Sequence, residues 1–190
     1  MFTPRPLIAV VGNNDLPEGD PRDSGAEALG EALVDAGCRV MSGGQSGVMA
    51  AVSRGAKRSV RYREGDVLAL LPGMDHQDVN ADVDIAIPTG VGYARNSIVA
   101  LSHAVIAVGG GAGTLSEMAY AWQYDRLLIA MQISPGWSGR LADERLDERV
   151  RFPGIPGDRA YAAATAQEAV FILQEQLPRY LPGVFGASSG

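Results

Sequence analysis

The residues best suited to chemistry form short glycine-rich segments, each following an apolar run of the chain. These segments are Gly12-Asn13-Asn14, Gly43-Gly44-Gln45-Ser46-Gly47-Val48-Met49 and Gly109-Gly110-Gly111-Ala112-Gly113-Thr114. Glycine accepts positive φ angles and lets backbone N–H groups approach an anion closely. A helix that starts directly afterwards adds unpaired N–H donors and the positive end of its dipole. The pattern predicts a site for phosphate or pyrophosphate oxygens.

The same glycines also admit a structural interpretation, in which they only let strands and helices pack closely. For a single glycine pair that interpretation is favoured about two to one. Two such turns and the polar first segment together favour the phosphate site. The spacing matches neither G-x-G-x-x-G with a ribose-binding acid nor G-x-x-x-x-G-K-[ST], because no lysine follows the glycines. A standard dinucleotide site and a Walker-type site are therefore disfavoured.

Arg95 is a candidate cation for the same site. It follows the fourth apolar run, where a helix is predicted to begin, and its guanidinium can pair with phosphate through two hydrogen bonds. The alternative is a solvated arginine, but the helix dipole slightly disfavours a cation at a helix start. That unfavourable position argues for a functional role.

Glu117 has two interpretations that the sequence leaves open. Thr114 and Glu117 match the S/T-x-x-E capping box, in which the glutamate only returns a hydrogen bond to the helix start. Glu117 is also predicted to lie opposite the apolar stripe of its helix, toward the crevice, where a carboxylate can serve an active site. The apolar stripe consists of Leu115, Met118, Ala119 and Trp122.

The remaining candidates point to structure. One loop carries Asp75, His76, Asp78, Asp82 and Asp84. Their spacing is not that of metal ligands, and a solvated acidic loop is favoured about five to one. His103 is predicted at a strand edge and Cys38 in the core. No metal site is predicted.

The elements that must position these residues follow from periodicity. Apolar runs cover residues 7–11, 39–42, 67–71, 83–87, 104–108 and 127–131, with a weaker one near 161–164. Their alternation with helical patterns predicts a Rossmann-like, doubly wound α/β fold, a mostly parallel sheet of six or seven strands with helices on both faces. Ligands of such sheets bind beyond the carboxyl ends of the strands.

The chain is predicted to be one ligand-binding domain, residues 1–182, with a frayed tail over 183–190. A connection over residues 134–158 is rich in glycine and proline. A connection this long predicts a lid, an interface or a mobile segment, and the sequence does not decide among them.

Composition limits the partners. The net charge of −6 disfavours nucleic acid, because binding to DNA or RNA depends on a positive field. One cysteine among 190 residues excludes an internal disulfide. The sequence shows no signal-peptide pattern and no apolar run near the ~18 residues that span a bilayer. These features predict a cytoplasmic protein without a membrane partner.

The motifs together resemble the molybdenum cofactor carrier proteins, a branch of the Rossmann-like superfamily that includes the Lonely Guy (LOG) and DNA-processing proteins. The resemblance covers about residues 6–132 and rests on segments 43–49, 71–73, 87–96 and 108–117. It implies a binding protein for molybdenum cofactor, a pterin phosphate, or for a nucleotide. It also implies a homodimer or higher homo-oligomer that requires no cofactor of its own.

The candidate ligand-binding residues combine the three glycine segments with Arg95 and Glu117. They are Gly12, Asn13, Asn14, Gly43, Gly44, Gly47, Val48, Met49, Arg95, Asn96, Gly110, Gly111, Ala112, Gly113, Thr114 and Glu117.

The resemblance also implies an enzymatic alternative. Lonely Guy enzymes, often mislabelled lysine decarboxylases, cleave the N-glycosidic bond of nucleoside 5′-monophosphates and carry P-G-G-x-G-T-x-x-E after an Arg-Lys pair. Here Arg95 and Glu117 match, whereas Gly109 replaces the proline and Asn96 replaces the lysine. In such a phosphoribohydrolase, Glu117 would stabilise an oxocarbenium-like centre or activate water, and Arg95 would orient the substrate.

Overall fold

The chain alternates strands and helices along the part that the computed structural model describes, residues 5–133 and 136–184. The strands are β1 (Leu7–Gly12), β2 (Arg39–Ser42), β3 (Val67–Leu71), β4 (Ile85–Pro88), β5 (Ala104–Val108), β6 (Leu127–Met131) and β7 (Ala160–Ala163). The helices are α1 (Pro21–Asp35), α2 (Val48–Arg58), α3 (Arg95–Val99), α4 (Ala112–Gln123), α5 (Trp137–Leu141) and α6 (Ala166–Tyr180). A 3-10 turn, Gly92–Ala94, leads into α3.

All seven strands form one parallel sheet in the order β4-β3-β2-β1-β5-β6-β7. The order reverses direction between β1 and β5, which creates the crevice at which doubly wound sheets bind ligands. β5 and β6 are buried along their whole length, because helices cover both of their faces. The predicted Rossmann-like fold is confirmed.

Helices α1, α2 and α6 cover one face of the sheet, and α3, α4 and α5 cover the other. Alternate residues of β1 show the two layers. Ile8 and Val10 pack in the cluster that contains α1, α2 and α6, whereas Ala9 and Val11 pack with α3 and α4. No helix within the described ranges is long and apolar enough to cross a bilayer.

The described part of the long connection, residues 136–158, is fixed at both ends. Its α5 portion packs beside the third glycine segment, where the backbone N–H groups of Trp137 and Ser138 donate to Gly110 and Gly109. Farther along, the buried Arg151 side chain pairs with Asp158 at the amino end of the sheet. The predicted tail falls largely outside the described residues.

Candidate functional site

A small pocket of about 130 Å³, called here the inner pocket, lies at the carboxyl ends of β1 and β2. Helix α4 and the segment that opens α3 complete its walls. The candidate residues in its lining are Gly12, Asn14, Gly43, Met49, Arg95, Asn96, Gly113, Thr114 and Glu117. The structure therefore brings together residues that lie far apart in the sequence.

Other candidate residues are not part of that lining. They are Asn13, Gly44, Gly47, Val48, Gly110 and Gly111, whereas Ala112 lines a neighbouring cavity.

Arg95 is the first residue of α3 and is only 6% exposed. Its Nε atom has no hydrogen-bond partner among the described residues. Its closest acidic partner is Glu117, with 3.9 Å between Arg95 Nη1 and Glu117 Oε1. A Cβ atom at Gly43 would collide with the Arg95 guanidinium, so glycine is needed there for this approach. Burial of a cation in this way is costly unless a further group pairs with it.

Glu117 lies on the buried face of α4, together with Thr114, Met118 and Ala121. The prediction that it lies opposite the buried stripe is therefore wrong, and Ala119, assigned to that stripe, is exposed. The capping-box alternative is also wrong. The helix begins at Ala112 with Gly111 as its N-cap and no side-chain cap, so Thr114 lies inside the first turn.

Burial sets the protonation of Glu117. Removal from water disfavours the carboxylate and raises the pKa of Glu117 to about 7, an effect that the charge of Arg95 partly opposes. Burial also lowers the pKa of Arg95, although a guanidinium stays protonated in proteins. The inner pocket thus contains a fixed cation and a carboxyl group that titrates near neutral pH.

Two backbone N–H groups of the third glycine segment donate to protein side chains, whereas the following ones have no acceptor within α4. Gly109 N–H donates to Ser138 Oγ at 2.7 Å, and Gly110 N–H donates to Asn13 Oδ1 at 2.6 Å. The next donors, at the start of α4, have no intrahelical acceptor because the ladder begins at Leu115 N–H. An anion would therefore bind at residues 112–114, beyond the glycines that shape the turn.

The first two glycine segments pack against each other. Val48 N–H donates to Asn13 O at 2.9 Å, and Met49 N–H donates to Ser46 O at 3.2 Å. The carbonyl of Gly44 accepts two hydrogen bonds from Asn80. For these residues the structural interpretation of the glycine turns fits, because their polar groups already have partners.

Asn96 occupies the position of the lysine expected in a Lonely Guy enzyme. It is buried, and its Nδ2 atom donates to Ser116 Oγ at 2.8 Å on helix α4. A neutral amide held in this way brings no charge to the inner pocket.

Two larger cavities adjoin the inner pocket and share Tyr93 with it. The β3-side lobe, of about 390 Å³, is lined by Asn14, Gln45, Pro72, Gly92, Tyr93 and Arg95. The α4-side lobe, of about 570 Å³, is lined by Tyr93, Ala94, Asn96, Ala112, Gly113, Ser116 and Tyr120. Sequence reasoning missed Tyr93, Gln45 and Tyr120. Gln45 lies within the second glycine segment and Tyr93 stands two residues before Arg95, whereas Tyr120 carried no such signal.

A separate cavity of about 450 Å³ lies at the amino end of the sheet and contains Arg5, Arg61 and Arg63. Arg5 donates to the carbonyls of Gly37 and Cys38, which follow α1, and Arg61 donates to Asp35 O at the end of α1. Cations at a helix carboxyl end stabilise the helix dipole. The Arg5 and Arg61 side chains are therefore explained by the fold.

Within the described residues, no group of three His, Cys, Asp or Glu side chains is placed to hold a metal ion. The prediction of a solvated loop is wrong for Asp84. Its buried carboxylate accepts hydrogen bonds from Lys57 Nζ and Tyr62 Oη at 2.5 and 2.6 Å. Cys38 is buried, as predicted.

Comparison with known proteins identifies relatives along most of the chain. The SLOG cluster4 family model matches residues 5–152. An uncharacterized protein of Archaeoglobus fulgidus is 35% identical over 147 residues, which cover 76% of this chain and 92% of that protein.

Solved structures give the same picture. A molybdenum cofactor binding protein from the phototrophic bacterium Rippkaea orientalis has a TM-score of 0.74 and 29% identity, over 92% of this chain and 98% of that one. The molybdenum cofactor carrier protein of Chlamydomonas reinhardtii has a TM-score of 0.70 and 28% identity, over 91% and 99%. DNA processing protein A of Helicobacter pylori, which binds single-stranded DNA, shares only the fold, with a TM-score of 0.58 and 19% identity over 91% and 82%.

Proposed function

The chain belongs to the SLOG cluster4 family, and we propose that it binds a phosphate-bearing small molecule, with molybdenum cofactor as the first candidate and a nucleotide as the second. Proteins that bind or carry molybdenum cofactor are among the similar solved structures. A carrier needs only to hold its cargo, so no catalytic cofactor is part of this proposal.

One observation carries the proposal. The Arg95 guanidinium is buried at the floor of the crevice with an unpartnered Nε, and the inner pocket that it lines also contains Gly113 and Thr114 from the start of α4. A buried cation without hydrogen bonds is costly unless a ligand supplies them. A phosphate group supplies both negative charge and several acceptors, and it fits a pocket of about 130 Å³. The adjoining lobes leave room for the rest of the molecule.

Binding measurements with Arg95→Gln test this proposal. Calorimetry with AMP, ribose 5-phosphate and molybdenum cofactor released from a molybdoenzyme should show at least about a tenfold loss of affinity, because hydrogen bonds to charged groups are the stronger class. Arg63→Gln is the matched control, since Arg63 is exposed at the amino end of the sheet. Equal binding by wild type and Arg95→Gln would exclude Arg95 as the phosphate ligand.

A phosphoribohydrolase is the second candidate, favoured by Glu117. A carboxyl group with a pKa near 7, 3.9 Å from a buried arginine, suits general acid–base chemistry or the stabilisation of a ribosyl cation. Chromatography after incubation with AMP tests it. Free adenine and ribose 5-phosphate that disappear in Glu117→Gln would make the protein an enzyme, whereas intact AMP favours the carrier.

We do not expect this protein to bind nucleic acid. The net charge of −6 opposes binding to a polyanion, and the likeness to DNA processing protein A is limited to the fold. Retention on a single-stranded DNA column at moderate salt would contradict this choice.

We also propose a homo-oligomer. Ile85 and Ile87 of edge strand β4 are each 45% exposed, and Ile98 and Leu101, in and after α3, are 41% and 52% exposed. Ile85 and Ile87 pair in register with Leu68 and Leu70, which face the α3 side of the sheet. This exposed apolar face, named here the β4–α3 face, is suited to contact with a second copy of the chain.

A further inference from the structure

We infer that the α4-side lobe binds the planar ring system of the ligand, with Tyr93 as the stacking residue and Tyr120 as the opposite wall. The inference rests on the proposed phosphate site and adds the place and the residues that bind the ring of the ligand. That class is a phosphate ester of an amino-substituted heteroaromatic ring, as opposed to a plain sugar phosphate.

Tyr93 is a large aromatic side chain that the fold does not use. It is 88% exposed, although it lines all three cavities of the crevice. The backbone that carries it is anchored to the end of β3. Gly92 N–H donates to Pro72 O at 3.0 Å, and Gly90 N–H donates to Gly73 O at 2.9 Å. An exposed ring on an anchored turn gains contact area only when a ligand covers it.

Tyr120 gives the lobe a second aromatic wall. It is 37% exposed on α4, and its ring stacks on Tyr124 with 5.7 Å between centroids and 22° between planes. That stacking holds the ring in one orientation before any ligand arrives. Ala94 and Ala112 add small apolar side chains to the same lining. The walls of the lobe therefore suit a flat, weakly polar group.

Asn96 supplies the polar contact that a heteroaromatic ring requires. Its Nδ2 atom donates to Ser116, and its Oδ1 atom receives no hydrogen bond within the described residues. A free amide oxygen accepts from a ring N–H or an exocyclic amino group. This oxygen is not one of the fully buried, unpartnered atoms of the described residues, so a ligand that covers it must supply a donor in place of water.

The α4-side lobe adjoins the inner pocket, so a ring in the lobe and a phosphate in the pocket can belong to one molecule. Ala112 and Gly113, whose N–H groups open α4, belong to the lobe lining, and Gly113 also lines the inner pocket. A phosphate at the start of α4 is therefore adjacent to a ring between the two tyrosines. The inner pocket of about 130 Å³ suits the phosphate, and the lobe of about 570 Å³ suits the ring.

The test compares two probes on four variants by calorimetry. The probes are carbocyclic AMP, which has no glycosidic bond to break, and ribose 5-phosphate. The variants are Tyr93→Ala, Tyr93→Phe, Tyr120→Ala and the control Phe171→Ala, whose side chain is 63% exposed on the opposite face of the sheet. Tyr93→Ala should weaken carbocyclic AMP by at least about fivefold, the lower limit for loss of a base–aromatic stack. Tyr93→Phe and Phe171→Ala should bind it as wild type does.

Ribose 5-phosphate separates this inference from the proposed function. The affinity for ribose 5-phosphate should be the same in wild type, Tyr93→Ala and Tyr120→Ala, because this probe has no aromatic ring that could stack on a tyrosine. If wild type binds both probes equally, or Tyr93→Ala weakens both alike, the ring site is wrong and the phosphate site stands. If wild type binds neither probe, both proposals fail. Tyr93 is exposed, so the melting temperature of Tyr93→Ala should remain that of wild type.

Discussion

Arg95 and Glu117 bring opposite charges into the inner pocket without meeting at hydrogen-bond distance. Their side chains are 8% and 9% exposed, and the closest N–O distance is 3.9 Å. A buried pair that only stabilised the fold would be expected to form direct hydrogen bonds, because desolvation otherwise exceeds the electrostatic gain. The gap between them instead leaves both side chains able to contact a third group. This gap supports the proposal that a ligand binds at this pair.

Glu117 should make stability depend on pH in a defined direction. Its pKa is about 7 in the folded protein and about 4.5 in the unfolded chain, so the unfolded chain ionises first as pH rises. The free energy of unfolding falls between about pH 4.5 and 7 and levels off above that range. The loss from this group is about 3 kcal/mol. Urea denaturation of wild type and Glu117→Gln at several pH values should show that the difference between their free energies of unfolding changes by about 3 kcal/mol across this range.

Other titrating groups cancel in that comparison, because both proteins contain them. Glutamine cannot ionise, so the free energy of unfolding of Glu117→Gln should rise relative to that of wild type as the pH increases from about 4.5 to 7. A difference that stays constant with pH would mean that Glu117 titrates normally and that the inner pocket is wetter than its burial indicates.

At the residue scale, the sequence predicted Arg95 but not the environment of Glu117. The arginine carried a local signal, an unfavourable position at a helix start. The capping interpretation of Glu117 depended on where α4 begins, and glycine at the N-cap leaves no side-chain signal for that boundary. Tyr93 was missed because exposure in a crevice is a property of the folded chain, whereas the sequence shows only its type.

At the scale of elements, two neighbouring glycines of the third segment, Gly110 and Gly111, differ in whether a side chain would fit. Gly110 has φ +96°, and a Cβ atom there would collide with the Thr114 side chain. A Cβ atom at Gly111 would meet nothing within 4 Å. Gly110→Ala should lower the free energy of unfolding by about 1–3 kcal/mol. Gly111→Ala should cost less, up to about 1 kcal/mol in urea denaturation, because alanine is a poorer N-cap than glycine but meets no neighbour. Equal losses for the two variants would contradict this division of the turn.

The connection between β6 and β7 allows a second matched comparison. The Arg151 side chain is fully buried against Asp158 and lies 3.6 Å from the Trp122 ring centroid, whereas Arg159 and Asp143 are 40% and 56% exposed. Arg151→Ala leaves a buried carboxylate unpaired and should cost about 3–5 kcal/mol. Arg159→Ala should cost about 0–1 kcal/mol, because water screens the exposed pair. Thermal and urea unfolding measure both, and a small loss in both variants would mean that the connection is loosely held.

These anchors also explain why the sequence did not decide the role of the connection. Proline and glycine indicate an irregular path but not its partners. The ion pair joins Arg151 to Asp158 within the segment, yet its contribution to stability depends on burial against Trp122, nearly thirty residues away. In the described part, residues 136–158 support the glycine turn and the amino end of the sheet, which are structural roles.

At the scale of the whole molecule, the fold was predictable because the central strands β1, β3, β5 and β6 are continuous apolar runs that alternate with helical patterns. The strand order and its reversal between β1 and β5 follow the rules of doubly wound sheets. The details of the site depend on contacts that no local pattern encodes. Gly110 N–H, for example, reaches Asn13 across 97 residues of sequence. Which glycines pack and which face a ligand therefore emerged only from the structure.

The β4–α3 face leads to the prediction about assembly. Its isoleucine and leucine side chains remain 41–52% exposed, and β4 ends the sheet with an unpaired backbone edge. Burying these side chains against a second copy removes apolar surface from water, worth about 25 cal/mol per Å². Light scattering after size exclusion should give at least twice the 19.9 kDa mass of one chain. Ile87→Asp should reduce that mass toward a monomer, because a carboxylate cannot be buried unpaired at the contact.

Phe171→Asp is the control for this assembly. Phe171 is 63% exposed on α6, which covers the other face of the sheet, so the same change there should leave the mass of the oligomer intact. A monomeric wild type would remove the second copy from the proposal. An oligomer that survives Ile87→Asp but dissociates in Phe171→Asp would move the contact to the α6 side. Ile87 lines none of the three cavities of the crevice, so phosphate binding by the Ile87→Asp monomer should match that of wild type.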